Sequence, residues 1–160
     1  MAGDHDGAAL LRLQLEDVLL PDGDGLEVLG RAEVGRLACT RGDEPYVVPI
    51  YVAFDGTDLY GFSTLGQKII WMRSNPRVCL EVEEIDDGRH WTTVLAFGRY
   101  EELSRPHEER KGLETATALL AARRPEFWLP AAAKVDTQEH PSPVLYRIAI
   151  ERVSGRRTRK

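Results

Sequence analysis

Apolar and polar residues alternate with a period of two through most of the chain, and helical spacing replaces that alternation at three places. Leu37 to Thr40, Tyr46 to Phe54 and Asp58 to Ser63 are rich in Val, Ile, Tyr and Phe. The turn-forming runs Arg41-Gly42-Asp43 and Asp55-Gly56 join them, which predicts a meander of short antiparallel strands. Arg77 to Ile85 alternates through Val78, Leu80 and Val82, turns at Asp86-Asp87-Gly88, and resumes from Trp91 to Leu103, a long hairpin. A last strand, Val144 to Val153, alternates Val144, Tyr146, Ile148 and Ile150 with other neighbours and is placed to close a barrel.

Helical spacing appears first from Leu26 to Val34, where Leu26, Leu29 and Ala32 predict a short helix broken by Gly35. It returns from Gln67 to Asn75 with Ile69, Met72 and Arg73, and stops at Asn75-Pro76, because proline excludes helix at the residue before it. Pro106 to Arg124 sets Leu113, Ala116, Thr117, Leu120 and Ala121 on one helical face, with Pro125 just beyond. Leu10 to Leu20 carries both periods, and its state stays open. No linker-like stretch or repeat divides the chain. The expected organisation is an N-terminal extension over 1–24, one domain over 25–153, and a basic C-terminal tail over 154–160.

Composition narrows the function classes. A length of 160 residues suits one core, and 42% hydrophobic with 29% charged residues marks a chain that folds. The formal net charge of -5 lacks the basic excess that binding a nucleic-acid backbone needs. The cluster Arg156, Arg157, Arg159 and Lys160 reads as a solvated, frayed tail. No apolar run approaches membrane-spanning length and the first residues do not form a secretory leader, so a cytoplasmic location is expected. Cys39 and Cys79 have no companion ligands at metal-binding spacing and read as small core residues, with no metal expected.

Candidate chemistry is sparse. The four histidines, His5, His90, His107 and His140, are not set beside a Ser or Cys in a nucleophile motif. The acidic pairs Glu83-Glu84, Asp86-Asp87 and Glu101-Glu102 fall at strand ends or turns, where surface charge is the simpler reading. Phe62-Ser63-Thr64-Leu65-Gly66-Gln67-Lys68 differs: a strand ends in two hydroxyl residues, passes a glycine, and enters a helix beside a lysine. Unpaired N–H groups of a first helical turn, hydroxyls and an ammonium suit a phosphate. On these residues alone an ordinary N-cap by Ser63 or Thr64 explains the run as well. Pro49 cannot donate to a ladder, so its strand is an edge, a bulge or a ligand surface. Trp91 and Trp128 offer large flat faces either for core packing or for stacking on a ring system.

Taken together, Val34-Gly35-Arg36-Leu37-Ala38, Pro45-Tyr46-Val47-Val48-Pro49-Ile50, Leu59-Tyr60-Gly61-Phe62-Ser63-Thr64 with Gly66-Gln67-Lys68, and Met72-Arg73-Ser74-Asn75-Pro76-Arg77-Val78-Cys79 form a recognisable succession. With Trp91 and the run Val94 to Glu101, it resembles the pyridoxamine 5'-phosphate oxidase-like flavin proteins over roughly residues 26 to 153, nearest the branch that includes nitroimidazole-resistance reductases. The resemblance implies a mainly β fold, a six-stranded antiparallel split β-barrel, homodimeric, with FMN in clefts between subunits. It implies that Val48, Pro49 and Ile50 run along the isoalloxazine, and that Phe62, Ser63, Thr64, Gln67 and Lys68 take the phosphate. Trp91, Thr92 and Thr93 approach from the hairpin, and Trp128 covers the ring. Gln67 stands where some relatives carry a basic residue, which puts more weight on Lys68. Phe62 stands where nitroimidazole reductases tend to carry histidine, which argues against nitro-group reduction. The implied activity is a flavin-dependent oxidoreductase on a small molecule, with the catalytic residues unassigned. A non-catalytic flavin store, or a deazaflavin- or haem-binding protein, is the alternative.

Overall fold

The structure is a computed structural model that describes residues 17–19, 21–87, 90–103, 110–123 and 144–158. In chain order the elements are β1 (Asp17–Leu19), α1 (Asp22–Arg31), β2 (Val34–Arg41), β3 (Glu44–Tyr51), β4 (Ala53–Phe54), β5 (Leu59–Ser63), α2 (Gln67–Ser74), β6 (Arg77–Ile85), β7 (Trp91–Glu102), α3 (Arg110–Arg123) and β8 (Val144–Thr158). All strand pairs are antiparallel, and the sheet runs β3-β2-β6-β7-β8-β5-β4, with β1 added on β8. This is the expected mainly β split barrel: one sheet, curled, with its two ends brought together where β3 touches β5.

Alternation is what curls it. Leu37, Leu80, Val82, Val94, Ala96, Tyr146 and Ile148 face inward and are almost fully buried, while their neighbours in sequence face out. Helix α1 adds Val28 and Leu29 to this core, and α2 adds Ile69, Trp71 and Met72. Helix α3 closes a second, smaller layer over β4 and β5 with Ala116 and Leu120. Leu113, expected on the same buried face, is 36% exposed. Among the described residues no helix is long and apolar enough to cross a membrane.

Several expectations are corrected. The sheet has eight strands among the described residues, not six. Tyr46 to Phe54 is not one strand: it breaks at buried Val52, whose N–H donates to the Glu33 carbonyl (3.0 Å), and the chain crosses to the opposite end of the sheet. The first three strands are therefore two hairpins, β2-β3 and β4-β5, and not a meander. The first helix starts at Asp22, inside the segment assigned to the extension, and ends at Arg31 because Ala32 is already extended (ψ 134). Gly35 does not break it. It lies in β2, where a Cβ would stand 2.8 Å from Leu80 Cδ1 and 3.1 Å from the Glu81 carbonyl oxygen.

Up to Thr158 the basic tail is strand, not frayed chain. Arg156 pairs with Thr93 and Arg157 with Thr92, and β1 covers the other edge through Asp17 opposite Thr158. Buried Thr158 accepts the Trp91 N–H at 3.2 Å, and Arg157 lies 3.3 Å from the Asp24 carboxylate. The positive charges had hidden a half-buried ladder.

Candidate functional site: the entrance to the second helix

Strand β5 delivers the chain to the sheet's end at Ser63, and α2 begins at Gln67 after three intervening residues. Neither hydroxyl caps the helix. Ser63 is buried and its Oγ donates to the Thr64 carbonyl (2.9 Å), Thr64 is exposed, and the N-cap position is Gly66 in an extended conformation (φ -160) with no side-chain cap bond. The first helical bond is Ile70 N–H to the Gly66 carbonyl at 3.1 Å. The N–H groups of Gln67, Lys68 and Ile69 consequently have no acceptor within the helix, and no acidic residue occupies the first turn. The ordinary-cap reading of this run is removed.

Lys68 adds the charge. Its side chain is half-buried over β2, burial pulls its pKa below the usual lysine value, and the Cys39 thiol beside it acts weakly in the opposite direction. Among the described residues no carboxylate pairs with it, in contrast to Arg31, Arg36, Arg73 and Arg147, each of which is within 4.0 Å of an acid. A partly desolvated ammonium without a counter-ion, next to three unpaired helical donors, is a cradle for an anion. Gln67 is exposed at its rim.

The cradle lies near the gap between the sheet's ends. Among the described residues strand β3 pairs only with β2, so alternate backbone groups along Val48, Pro49 and Ile50 point away from any described ladder partner, and exposed Pro49, opposite Arg36, sits on this edge. Val48 and Ile50 direct their side chains into the core, which leaves the backbone for ligand contact. Under this edge Tyr46 packs on Trp71 of α2 (centroids 5.5 Å), and Arg41 lies 4.8 Å over the same indole. Sequence reasoning missed Cys39, Trp71 and Arg41 as neighbours of the cradle, since only the packing of α2 on β2 unites them.

Other expected site residues lie elsewhere. Phe62 points to the opposite side of β5 and packs with Leu119, Leu145 and Leu120 beneath α3, away from the cradle. Trp91 and Thr93 line a pocket of about 210 Å3 with Leu95, Ser154 and Arg156 on the outer face. Following the register from Pro49 through Arg36 and Glu81 to Leu95, Thr93 lies three strands and a two-residue step away, about 16 Å measured along the sheet. Trp128 lies outside the described residues. Glu83 and Glu84 pair with Arg36 and Arg31, and Glu101 and Glu102 with Arg147 and Arg73, so these acids are held in ion pairs and not arranged as a dyad. Cys39 is buried as expected, but Cys79 is half-buried on the outer face. Among the described residues no three His, Cys, Asp or Glu side chains gather as a metal site.

Comparisons with known proteins agree with this architecture. A FAD-binding protein of Mesorhizobium loti superposes with a TM-score of 0.72 at 38% identity, over 90% of this chain and 98% of its own. A FAD-binding protein of Mycobacterium smegmatis shares the fold (TM-score 0.65, 16% identity, 89% of this chain and 99% of its own). The uncharacterized protein RA0666 of Rhizobium meliloti (strain 1021) is 44% identical over 115 residues, 70% of this chain and 74% of its own. With the sequence model of the pyridoxamine 5'-phosphate oxidase family matching residues 22–157, nearly the whole described sheet, the chain belongs to that family.

Proposed function

We propose that this protein binds a flavin, FMN in the first instance, and uses it as an oxidoreductase on a small molecule. The observation that carries the reading is the uncapped entrance to α2 beside the unpaired, half-buried Lys68. In this reading the ribityl phosphate bonds the N–H groups of Gln67, Lys68 and Ile69 and the Lys68 ammonium, and the ring lies along the β3 edge. Ser63 reaches the phosphate only by turning its hydroxyl from the Thr64 carbonyl. The two relatives named FAD-binding support a flavin, and FMN is the half of FAD that such a cradle and edge would contact. The bound flavin supplies the electron transfer, while the protein supplies placement and phosphate anchoring.

The functional unit in this reading is a homodimer. Val34, Val47 and Ile85 are exposed on β2, β3 and β6 (46%, 59% and 61%), and the Trp91–Thr93 pocket lies three strands from the β3 edge of the same chain. A flavin held by one cradle meets Trp91 and Thr93 only from a second copy.

Spectroscopy and mass spectrometry of the purified protein test the proposal. A yellow protein releasing FMN on denaturation is the expected result; FAD, a deazaflavin or haem would correct the cofactor, and a colourless protein that takes up no flavin refutes it. A second reading, flavin binding without turnover, draws on the ion-paired state of the strand acids, which leaves none of them placed for proton transfer. Anaerobic mixing with NADH or NADPH separates the two, since a store leaves the flavin oxidised.

A further inference from the structure

On the outer face of the sheet, where β2 approaches its turn into β3, lies a pocket of about 300 Å3 whose lining includes Ala38, Cys39, Thr40, Arg77, Cys79, Phe97 and Arg152. Its charge is unusual for a chain of net charge -5. Arg77 stands directly opposite Arg99 across β6 and β7, and Arg152 holds its guanidinium 3.8 Å over the Phe97 ring. Like charges opposite each other destabilise a sheet. Among the described residues no carboxylate is within ion-pair reach of these three arginines, although Arg31, Arg36, Arg73, Arg147 and Arg157 all have one.

The backbone contributes to the arrangement. The register of β7 with β8 shifts between Phe97 and Gly98, so that Phe97 faces Arg152 and Gly98 faces Ile150, with Glu151 the extra residue. Such bulges re-aim side chains, and this one sets Arg152 over Phe97 on the Arg77 face. Glu151 also lines the pocket, and the balance stays positive. Asn75 Nδ2 donates to Thr40 Oγ1 (2.9 Å), while Asn75 Oδ1 accepts the Arg77 N–H (3.3 Å), so the Thr40 hydroxyl keeps its own proton to donate. The ring of Phe97 and the methyl of Ala38 supply an apolar wall.

We propose that this pocket binds a small organic oxyanion, a phosphate or carboxylate carried on a compact apolar body. Arg77 and Arg152 give charge-assisted hydrogen bonds to the oxyanion, Thr40 adds a neutral one, and the body rests against Phe97 and Ala38. The volume holds roughly ten non-hydrogen atoms at about 30 Å3 each. The proposal does not rest on the flavin reading: Cys39 both neighbours Lys68 and lines this pocket, so the two anion sites adjoin across β2, and the arginine and Lys68 variants tell them apart.

Cys79 provides a local probe. Its alkylation by iodoacetamide is followed by peptide mass spectrometry in the folded protein, with and without inorganic phosphate, phenyl phosphate or benzoate. Cys39 also lines the pocket but is only 2% exposed, and it stays unlabelled while the protein is folded. Phenyl phosphate is expected to slow Cys79 labelling at the lowest concentration, and the order of benzoate and inorganic phosphate tells a carboxylate source from a free phosphate. Arg77→Gln and Arg152→Gln, both exposed and tolerant of change, each raise the protecting concentration at least about tenfold, as expected for one lost charge-assisted bond. Three results overturn the proposal: no protection by any of the anions, a Cys79 that is unreactive in the folded protein, or protection that persists in both arginine variants but is lost in Lys68→Met.

Discussion

Replacing Lys68 by Met separates cofactor binding from folding. Met keeps the length and apolar stem that pack over β2 and removes only the ammonium. In the free protein that ammonium is partly desolvated and has no acid within reach among the described residues, so its loss removes an unfavourable charge and leaves the fold at least as stable. Toward a phosphate the balance reverses. One charge-assisted hydrogen bond is worth about 1.5–3 kcal/mol, while the three helical N–H groups and the dipole remain. The expected effect is about a 10- to 150-fold rise in the FMN dissociation constant, with no fall in the melting temperature of the flavin-free protein. Quenching of FMN fluorescence on titration with stripped protein measures the first, and thermal denaturation the second. A dissociation constant within threefold of wild type refutes the assignment of Lys68, and a large loss of stability shows that the ammonium has a structural partner that the geometry does not provide.

The same lowered pKa makes binding pH-dependent. The phosphate favours the charged lysine, so binding takes up a proton, and affinity falls as pH rises through the lowered Lys68 value, below the ordinary lysine range; a flat titration up to that range contradicts it. Gly61→Ala puts a Cβ 2.7 Å from both Cζ and Oη of fully buried Tyr146, and the overpacking costs about 1–3 kcal/mol, read as a lower urea midpoint; an unchanged midpoint shows that the ring can move. Tyr146→Phe removes a buried hydroxyl that has no hydrogen-bond partner, and stabilises by about 1 kcal/mol, a rise of about 2–4 °C; a fall in melting temperature shows that the hydroxyl is satisfied in solution. At low pH the Asp55 turn is the sensitive point. Burial opposes ionisation there, yet the N–H donors of Asp58 and Thr57 and the Tyr60 hydroxyl outweigh it and hold the Asp55 carboxyl below its usual range. Its stabilisation is present above the usual carboxylate pKa and fades as pH falls through the lowered one, and Asp55→Asn flattens that limb of the acid denaturation curve.

The elements were legible because burial in a curled sheet imposes period two. In β6 the buried set Val78, Leu80 and Val82 is the alternating set of the sequence, and Asn75-Pro76 fixed the end of α2 to within one residue. Partnership was not legible. Nothing local to Val52 says that the chain leaves one end of the sheet for the other, since both flanking runs are equally apolar. Charges on the outer face of β8 masked a ladder whose buried members after Val153 are only Gly155 and Thr158. At the cradle, hydroxyl residues just before a helix are the usual cap signal, and they misled: the chain takes two further residues to turn, and Gly66 arrives at the N-cap instead. Phe62 belongs to the same motif, and the two-residue period of β5 puts it on the face opposite Ser63, toward α3. The period thus sorts which side chains of the motif face the α2 entrance and which face α3.

What the fold explains best is why such a site needs the end of a sheet. A closed barrel has no free backbone edge, and an open flat sheet has no concave gap beside it. Curling this sheet until β3 touches β5 leaves one edge unpaired while setting it near the helix that β5 leads into. Pro49 keeps part of that edge from serving as a template for another strand, because it has no N–H to offer. Lys68 can remain without a counter-ion because α2 is anchored independently by Ile69, Trp71 and Met72 in the core, so the cost of its partial burial is carried by packing elsewhere on the same helix. Backbone edge, uncapped helix and unpaired cation thus arise from one topological choice, and in the proposed dimer the outer face of a second copy supplies the aromatic side that a single chain holds three strands away.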